Sequence, residues 1–420
     1  MNIVIANKYY FYTGGPERYM AAVTQLLQRN GHTVIPFAMK LDQNEPSEYR
    51  DYFVSPPAKS NQYKLDQFNL SLYQKVSLLG RAIYSWGARQ KLTALIRDAQ
   101  VDLVYLLNIC NYLSPSLIDA AKRCGVPVVM RLSDYNFACA SYRFLREDQV
   151  CTECLDSGSF RPALRYRCVQ NSLVQTAGRV IPMTIHRLLN ILGKVDAFVA
   201  PSPTMADALV QFGCEAQRVY HVPSFVDLEQ FEPVANPRRD YVLYLGRLDP
   251  DKGVDVLLAA WARLGAAAPL LCLAGTGTAV LELQAQAQAA GLTGEKVRFL
   301  GQLDKVALLE TLQHAAFTVT PSLWMDNSPM SVYESLACGK PVVASDIGGI
   351  KSQIVHGQTG FLFTAGDREA LAVYVERLWT DRQLVAQMSE QARETAVTHF
   401  SPEVHWHKLG NIFRQAKGIT

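Results

Sequence analysis

Short apolar segments alternate with longer helical patterns along most of the chain. Ten segments of four or five mainly apolar residues have the length of buried strands: 3–6, 33–37, 103–107, 126–130, 197–200, 241–245, 270–274, 297–300, 317–320 and 341–344. Strands that alternate with helices form parallel sheets covered by helices on both faces. The pattern therefore predicts an α/β protein with doubly wound parallel sheets.

The apolar segments fall into two sets, separated by residues 225–240. This stretch contains Pro233 and Pro237 among mixed charges and interrupts the strand–helix alternation. We therefore predict two Rossmann-like domains, residues 1–225 and 226–400. Doubly wound sheets bind ligands at the carboxyl ends of their strands, so two such domains that face each other would form a binding cleft.

Length and composition agree with a fully folded protein. The chain has 420 residues, of which 49% are hydrophobic and 19% charged, and this usage excludes a disordered or fibrous chain. Residues 264–281 form an uncharged stretch, but Pro269, Gly275 and Gly277 divide it, so no transmembrane helix is predicted. The N-terminus lacks signal-peptide features, and nine cysteines argue against a disulfide scaffold. Together these features favour a cytoplasmic protein.

Positive charge is concentrated in the first half. Residues 1–220 contain 24 Lys and Arg against 17 Asp and Glu, whereas residues 221–420 contain 17 against 21. Residues 67–97 and 157–195 contain five and six basic side chains and no acidic one. Such stretches favour an anionic partner. No nucleic-acid partner is expected, because the chain contains no recognised nucleic-acid-binding module and its second half is acidic.

Glycines follow three predicted strands of the second half: Gly246, Gly275 and Gly301. Glycine lets a backbone come close to a ligand, and a nucleotide base could lie against the last of these turns. Arg247 and Lys252 follow the first glycine, and such a pair can hold a diphosphate because Arg forks onto phosphate oxygens while Lys supplies a mobile charge. Ordinary turns with solvated charges are the alternative interpretation.

Two carboxylates follow the strand at 317–320. Asp326 lies in a predicted loop and Glu334 in the next helix, whose start is formed by residues 327–331. The free N–H groups of a helix start can bind phosphate, and carboxylates can accept hydrogen bonds from sugar hydroxyls. Alternatively, Asp326 caps the helix and Glu334 is a surface acid.

This order of residues resembles the retaining, nucleotide-sugar-dependent glycosyltransferases of family 4, which have the two-domain GT-B fold. The matching positions are Gly246-Arg247, Lys252-Gly253, Gly275, Glu334 and the run from Ala337 to Val342. The resemblance implies that residues 401–420 form a helix that crosses back onto the first domain. It also implies a UDP- or GDP-sugar donor and a glycan or lipid-linked acceptor.

The resemblance further assigns roles to individual residues. It implies that Arg247 and Lys252 stabilise the departing diphosphate and that Glu334 binds the ribose hydroxyls. The backbone N–H groups of Met330 and Ser331 are implied to face the phosphate.

The sequence departs from the family pattern at two positions of the second half. The first acid of the family pair is a glutamate that touches the donor sugar, but Asp326 occupies this position and is one methylene shorter. Lys351 stands where the family often has an acid. These departures leave the donor sugar open.

The first half resembles the family more loosely. Gly14 and Gly15 match the glycine-rich loop on the acceptor side, and Asn108 and Asp134 follow predicted strands. Ser133 stands where family members usually have a histidine, so no general base is assigned. Asp134 could instead cap the following turn.

Four cysteines in the first half have the spacing C-x11-C-x2-C-x13-C: Cys139, Cys151, Cys154 and Cys168. Four thiolates can hold a structural zinc ion tetrahedrally, and Cys₄ sites often contain one such short pair. Unliganded thiols and an iron–sulfur or redox role are the alternatives.

Residues 180–192 have a broad apolar face edged by cations. At helical spacing this pattern is more typical of a core helix, which is the interpretation we favour. A membrane-surface helix for a lipid-linked acceptor is the alternative, and it would place the protein peripherally on the inner face of a membrane.

Together these features predict a retaining glycosyltransferase that requires no cofactor for catalysis, since positive charge and helix-end N–H groups can stabilise a departing diphosphate. Two alternatives remain at this stage. One is a non-catalytic nucleotide-sugar or glycan-binding protein of the same fold, and the other is a nucleotide-sugar epimerase.

Overall fold

The computed structural model describes residues 1–56, 71–110, 112–147, 149–292 and 294–418. Within them the chain divides into two compact units. The first unit contains Met1–Tyr142, Thr152–Val222 and Trp406–Thr420, and the second contains Arg143–Cys151 and Pro223–His405. The chain therefore enters each unit more than once.

The strands, in chain order, are β1 (Asn2–Ala6), β2 (Thr33–Phe37), β3 (Leu103–Leu106), β4 (Val128–Arg131), β5 (Leu145–Arg146), β6 (Gln149–Val150), β7 (Ala197–Ala200), β8 (Val219–His221), β9 (Tyr241–Leu245), β10 (Leu270–Ala274), β11 (Val297–Gly301), β12 (Thr318–Thr320), β13 (Val342–Ser345) and β14 (Gly360–Phe363). The sheet of the first unit has the order β2-β1-β3-β4-β7-β8, and that of the second has the order β11-β10-β9-β12-β13-β14. All pairings in both sheets are parallel. Both sheets are therefore doubly wound.

The helices, in chain order, are α1 (Gly15–Arg29), α2 (Leu72–Ile83), α3 (Trp86–Asp98), α4 (Ser116–Arg123), α5 (Glu153–Asp156), α6 (Arg161–Arg165), α7 (Leu173–Leu188), α8 (Pro203–Phe212), α9 (Val254–Leu264), α10 (Val280–Ala289), α11 (Lys305–His314), α12 (Met330–Ala337), α13 (Arg368–Thr380), α14 (Arg382–His399) and α15 (Pro402–Ala416). Local sequence sets several of their ends. Ser71 and Gln74 form a capping box at the start of α2, and Ser202 caps α8, which ends at Gly213 in the left-handed conformation.

The α/β fold and the parallel sheets are confirmed, and each of the ten predicted segments overlaps a strand. Four strands were not predicted. β8 and β14 extend one edge of each sheet, and β5 and β6 form a small antiparallel hairpin that belongs to the second unit.

The helix predicted within residues 180–192 is present as part of α7, which begins seven residues earlier. The interpretation as a core helix is wrong for one of its faces. Val180 is buried, but Ile181 and Leu188 are 42% and 80% exposed. Across the described residues, no helix combines the length and apolarity needed to cross a membrane.

Candidate active site

Three predicted site glycines lie side by side at the carboxyl edge of the second sheet. The N–H of Gly246, after β9, donates to the carbonyl of Ala274 at 3.1 Å. The N–H of Gly275, after β10, donates to the carbonyl of Gly301 at 2.8 Å. A Cβ on Gly275 would lie 1.8 Å from the carbonyl oxygen of Gly246, and its φ is +141°. Only glycine can therefore occupy this position, where the backbones approach closely.

Arg247 projects from the turn that follows Gly246. Its side chain is 57% exposed and forms ion pairs with Asp249 and, at 3.9 Å, with Asp251. Burial alone would raise the pKa of Asp249, but hydrogen bonds from Thr278 and the positive charge of Arg247 lower it overall. Arg247 is thus a solvent-accessible cation held in place by two carboxylates.

Lys252 lies on the same turn and forms an ion pair with Asp326. Both side chains are largely buried, and the ammonium lies 5.2 Å from the ring centre of Trp324. The backbone also fixes the loop that carries Asp326, because its carbonyl accepts from the N–H of Gly349 at 2.7 Å. The loop of Trp324 and Asp326 therefore surrounds the cation of Lys252, and Gly349 holds that loop in place. Asp326 does not act as the cap of α12, whose N-cap residue is Pro329.

The helix α12 supplies the remaining predicted residues of the second unit. Met330 and Ser331 form its first turn and are partly exposed, whereas Glu334 is buried, with 2% exposure. N–H groups in the first turn of a helix have no partner within the helix and favour anions. The alternative that Glu334 is a surface acid is wrong. Lys351 is exposed in a short 3₁₀ turn, Ile350–Ser352.

Arg143 is a component of this region that the sequence did not suggest. It begins the segment that contains the β5–β6 hairpin, and its guanidinium lies 3.5 Å from the carboxylate of Asp251. The side chain of Asp251 has no exposed surface, so it is a buried carboxylate flanked by Arg143 and Arg247. Because 108 positions separate Arg143 from Asp251 in the sequence, no local pattern could have shown this contact.

In the first unit, Gly14 and Gly15 stand at the start of α1. Gly14 is the N-cap residue, and a Cβ on Gly15 would meet nothing within 4 Å. The preceding loop is held by the buried Glu17, which accepts hydrogen bonds from Asn7 at 3.2 Å and Thr13 at 2.7 Å. Asn7 and Glu17 were not predicted, although an asparagine directly after β1 was a visible signal.

Asn108 and Asp134 line the same cavity in the first unit, at the carboxyl ends of β3 and β4. The cavity has a volume of about 310 Å³ and a mainly apolar lining to which Ser133 also contributes. Burial raises the pKa of Asp134, although hydrogen bonds from Asn136 partly oppose this. Asp134 thus does organise the following turn, as the capping alternative proposed, and it also faces a cavity that a ligand could enter.

The four cysteines of the predicted zinc site are partly buried. In the described part of the chain, no group of three or more Cys, His, Asp or Glu side chains could hold a metal ion. Cys154 and Cys168 instead pack beside the apolar cluster around Phe160 and Val180, and Cys139 lies 3.3 Å from the hydroxyl of Ser141. Zinc binding by these four thiolates stays a prediction.

Comparison with known proteins places these features in a family. The model of the family described as glycosyl transferases group 1 matches residues 226–395, and that of the glycosyl transferase 4-like domain matches residues 14–224. Glycogen synthase of Mycobacterium tuberculosis is 30% identical over 228 residues, which cover 53% of this chain and 55% of the relative. D-inositol 3-phosphate glycosyltransferase of Geodermatophilus obscurus is 32% identical over 220 residues, covering 47% and 48%. The chain spans about half the length of the curated relatives it matches.

Solved structures share the fold over the full length of the chain. Sucrose-phosphate synthase from Thermosynechococcus elongatus superposes with a TM-score of 0.73 and 20% identity, covering 100% of both chains. Anabaena HepE in complex with UDP superposes with a TM-score of 0.68 and 18% identity, covering 99% of this chain and 100% of HepE. The assignment rests on the two parallel α/β sheets, the three strand-end glycines and the matches to both family models. The chain belongs to the group 1 glycosyltransferase family with the GT-B fold.

Proposed function

We propose that the protein transfers a glycosyl group from a nucleoside diphosphate sugar to a glycan or lipid-linked acceptor, with retention of anomeric configuration. The observation that carries this proposal is the cation pair of the second unit. Arg247 and Lys252 lie on one turn beside three strand-end glycines, and each cation is paired with carboxylates. A diphosphate can replace those carboxylates as the partner of both cations.

In this proposal the residues of the second unit stabilise the leaving diphosphate. Positive charge from Arg247 and Lys252 and the first N–H groups of α12 offset the negative charge that develops as the sugar departs. Glu334 is proposed to bind the ribose hydroxyls, and Asp326 the donor sugar. In the first unit, the acceptor side is proposed to be lined by Gly14, Gly15, Asn108 and Asp134.

The names of similar proteins support this reading. The curated relatives include a glycogen synthase and an inositol phosphate glycosyltransferase, and HepE has been solved with UDP and with UDP-glucose. A uridine nucleotide is therefore the first donor to test.

The test is a thermal-shift screen with UDP, GDP, ADP and their sugar conjugates, followed by turnover assays. A ligand that binds only the folded protein raises its melting temperature. We expect one nucleotide to raise the melting temperature selectively and Arg247→Ala to abolish that shift. Turnover should fall by about 10²-fold or more in Arg247→Ala and Lys252→Ala.

Arg263→Ala is the matched control, because Arg263 is also about half exposed in the second unit and also pairs with a carboxylate, that of Glu369. This variant should bind nucleotide as the wild type does. Near-normal turnover in both site variants would refute the proposal.

A further inference from the structure

The cavity of the first unit reaches well beyond the predicted acceptor residues Asn108 and Asp134. Helices α4, α7 and α8 and the segments that follow β3 and β4 contribute to its walls, which are mainly apolar and include Ile118, Met183 and Phe212. Its volume of about 310 Å³ lies at the lower end of the range for small-molecule sites. The cavity therefore suits a small, largely apolar ligand rather than a long lipid chain.

Three titratable side chains in the cavity wall are uncharged at neutral pH. Burial raises the pKa of Cys110 and of Cys214 to about 11, so both thiols stay protonated. Burial lowers the pKa of His186, so its imidazole is neutral. Among the described lining residues, this leaves Asp134 as the only acid and Arg187 as the only permanent cation.

Arg187 has no anionic partner in the part of the chain that the structure describes. No acidic group of the described residues lies within ion-pair distance of its guanidinium, and its buried Nη1 atom has no hydrogen-bond partner. The guanidinium does lie over the ring of Phe212, 4.5 Å from the ring centre. A buried N–H group without an acceptor is energetically costly, so an anionic ligand would stabilise this side chain.

The other charged group of the cavity has positive neighbours of its own. Burial raises the pKa of Asp134, and the charges of Lys8 and Arg179 oppose this effect. Arg187 follows Arg179 by eight residues on α7, which corresponds to about 12 Å along the helix. The charge of Asp134 is thus balanced locally, whereas that of Arg187 is not.

We propose that this cavity binds an amphiphilic anion, a small apolar molecule that carries a single carboxylate or phosphate group. The apolar body lies beside Ile118 and Met183, and an anionic oxygen accepts a hydrogen bond from Nη1 of Arg187. A neutral hydrocarbon would leave this N–H unpaired, and a sugar would bury its hydroxyls against apolar walls. The site is distinct from the donor site of the second unit and does not depend on the proposed transfer reaction.

Titration calorimetry of the full chain with decanoate, decyl phosphate and decanol tests the proposal. We expect at least one of the two anions to bind about tenfold or more tightly than decanol, because a hydrogen bond to a charged group is stronger than one to a neutral group. The anion that binds more tightly identifies the head group. Arg187→Gln should weaken the binding of that anion by about tenfold or more and leave decanol binding nearly unchanged.

Met183→Trp places a larger side chain in the cavity and should weaken the binding of all three probes. Arg89→Gln is the matched control, because the Arg89 guanidinium also lies over an aromatic ring, that of Trp86 at 4.3 Å, on a helix of the same unit and outside the cavity lining. This variant should bind the probes as the wild type does. Unchanged far-UV circular dichroism would show that the site variants are folded.

Equal affinity of the wild type for decanol and for both anions overturns the proposal, as does unchanged anion affinity in Arg187→Gln. A thermal shift with UDP but no binding of decanoate or decyl phosphate overturns this proposal and leaves that of the donor site standing. Anion binding that depends on Arg187, without any nucleotide-dependent shift, supports this proposal while it contradicts that of the donor site.

Discussion

At the scale of single residues, the carboxylates around Lys252 and Arg247 have two effects on these cations. They hold the cations in position before a ligand arrives, and a diphosphate must then compete with them for the same cations. Asp326 is the partner of Lys252, and Asp249 and Asp251 are the partners of Arg247. Substituting a single carboxylate therefore distinguishes its effect on the position of a cation from its effect on diphosphate binding.

Asp326→Asn removes the charge that pairs with Lys252 while keeping the size of the side chain. We expect UDP to bind at least as tightly as to the wild type, because the freed ammonium no longer has a competing carboxylate. Turnover with the sugar conjugate should fall by about tenfold or more if Asp326 holds the sugar in the transition state. Titration calorimetry and initial rates measure the two quantities separately.

Asp326→Glu is the companion variant, since it restores the family's usual residue. It should keep part of the turnover that Asp326→Asn loses. Equal loss of UDP affinity and turnover in Asp326→Asn would show that the carboxylate only supports the fold of the loop.

Lys340 provides a prediction about pH and stability. The side chain is buried, with 3% exposure, and burial together with the nearby charge of Arg239 lowers its pKa to about 8 from the usual 10.5. The charged form is thus disfavoured in the folded state, and the penalty is complete below pH 8 and fades as pH rises towards 10.5. A drop of this size corresponds to roughly 3 kcal/mol, since each tenfold change in proton affinity is worth about 1.4 kcal/mol.

Lys340→Met should therefore raise the free energy of unfolding at pH 7 by up to roughly 3 kcal/mol, and the gain should shrink between pH 8 and pH 10. Urea unfolding at several pH values measures this difference. The exposed Lys305 supplies the control, because Lys305→Met should show no such pH-dependent gain. A gain that is constant with pH would mean that the ammonium is not the cause.

At the scale of elements, the sequence predicts those strands and helices that a local pattern of apolar residues specifies. Seven of the ten predicted strands have three or more apolar residues in succession, and this is why they could be recognised. β8 has three residues and is partly exposed, and β5 and β6 have only two residues each, so none of them is long enough to show an apolar pattern. The same limit applies to the site: glycines at strand ends have a local signal, whereas the pairing of Lys252 with Asp326 depends on how distant loops meet.

The segment that contains the β5–β6 hairpin gives a prediction of its own, because Arg143 ties it to the second unit through Asp251. Arg143→Ala leaves a buried carboxylate with less positive charge nearby, so it should destabilise the second unit by about 1–2 kcal/mol after allowance for the partial exposure of Arg143. A double-mutant cycle with Asp251→Asn should show a coupling energy of about 0.5 kcal/mol or more.

Val150→Ala, a change at an exposed position of the same hairpin, is the matched control and should have little effect. Unfolding free energies of the four proteins of the cycle supply the measurement. Strict additivity would show that the two side chains do not interact in solution.

At the scale of the whole molecule, the chain returns from the second unit to the first within its last helix. The last helix, α15, follows the second unit in the sequence, yet residues 406–420 belong to the first. Its apolar residues Leu409, Ile412 and Phe413 are buried, and Lys417 pairs with Asp102 at 2.8 Å. The core of the first unit is therefore completed by a helix that follows the second unit in the sequence.

Phe413→Ala should consequently destabilise the first unit even though residue 413 follows the whole second unit in the sequence. The Phe413 ring packs edge-on against Tyr105 of β3 at 5.3 Å, and removing a buried phenylalanine typically costs about 3–5 kcal/mol. Hydrogen exchange should rise in β1, β2 and β3 and stay near the wild-type level in β9, β10 and β12. Leu281→Ala, at an exposed position of α10, is the control and should change neither set. Equal loss of protection in both sheets would show that the two units unfold as one cooperative block, whereas unchanged exchange in β3 would mean that α15 contributes little to the first core.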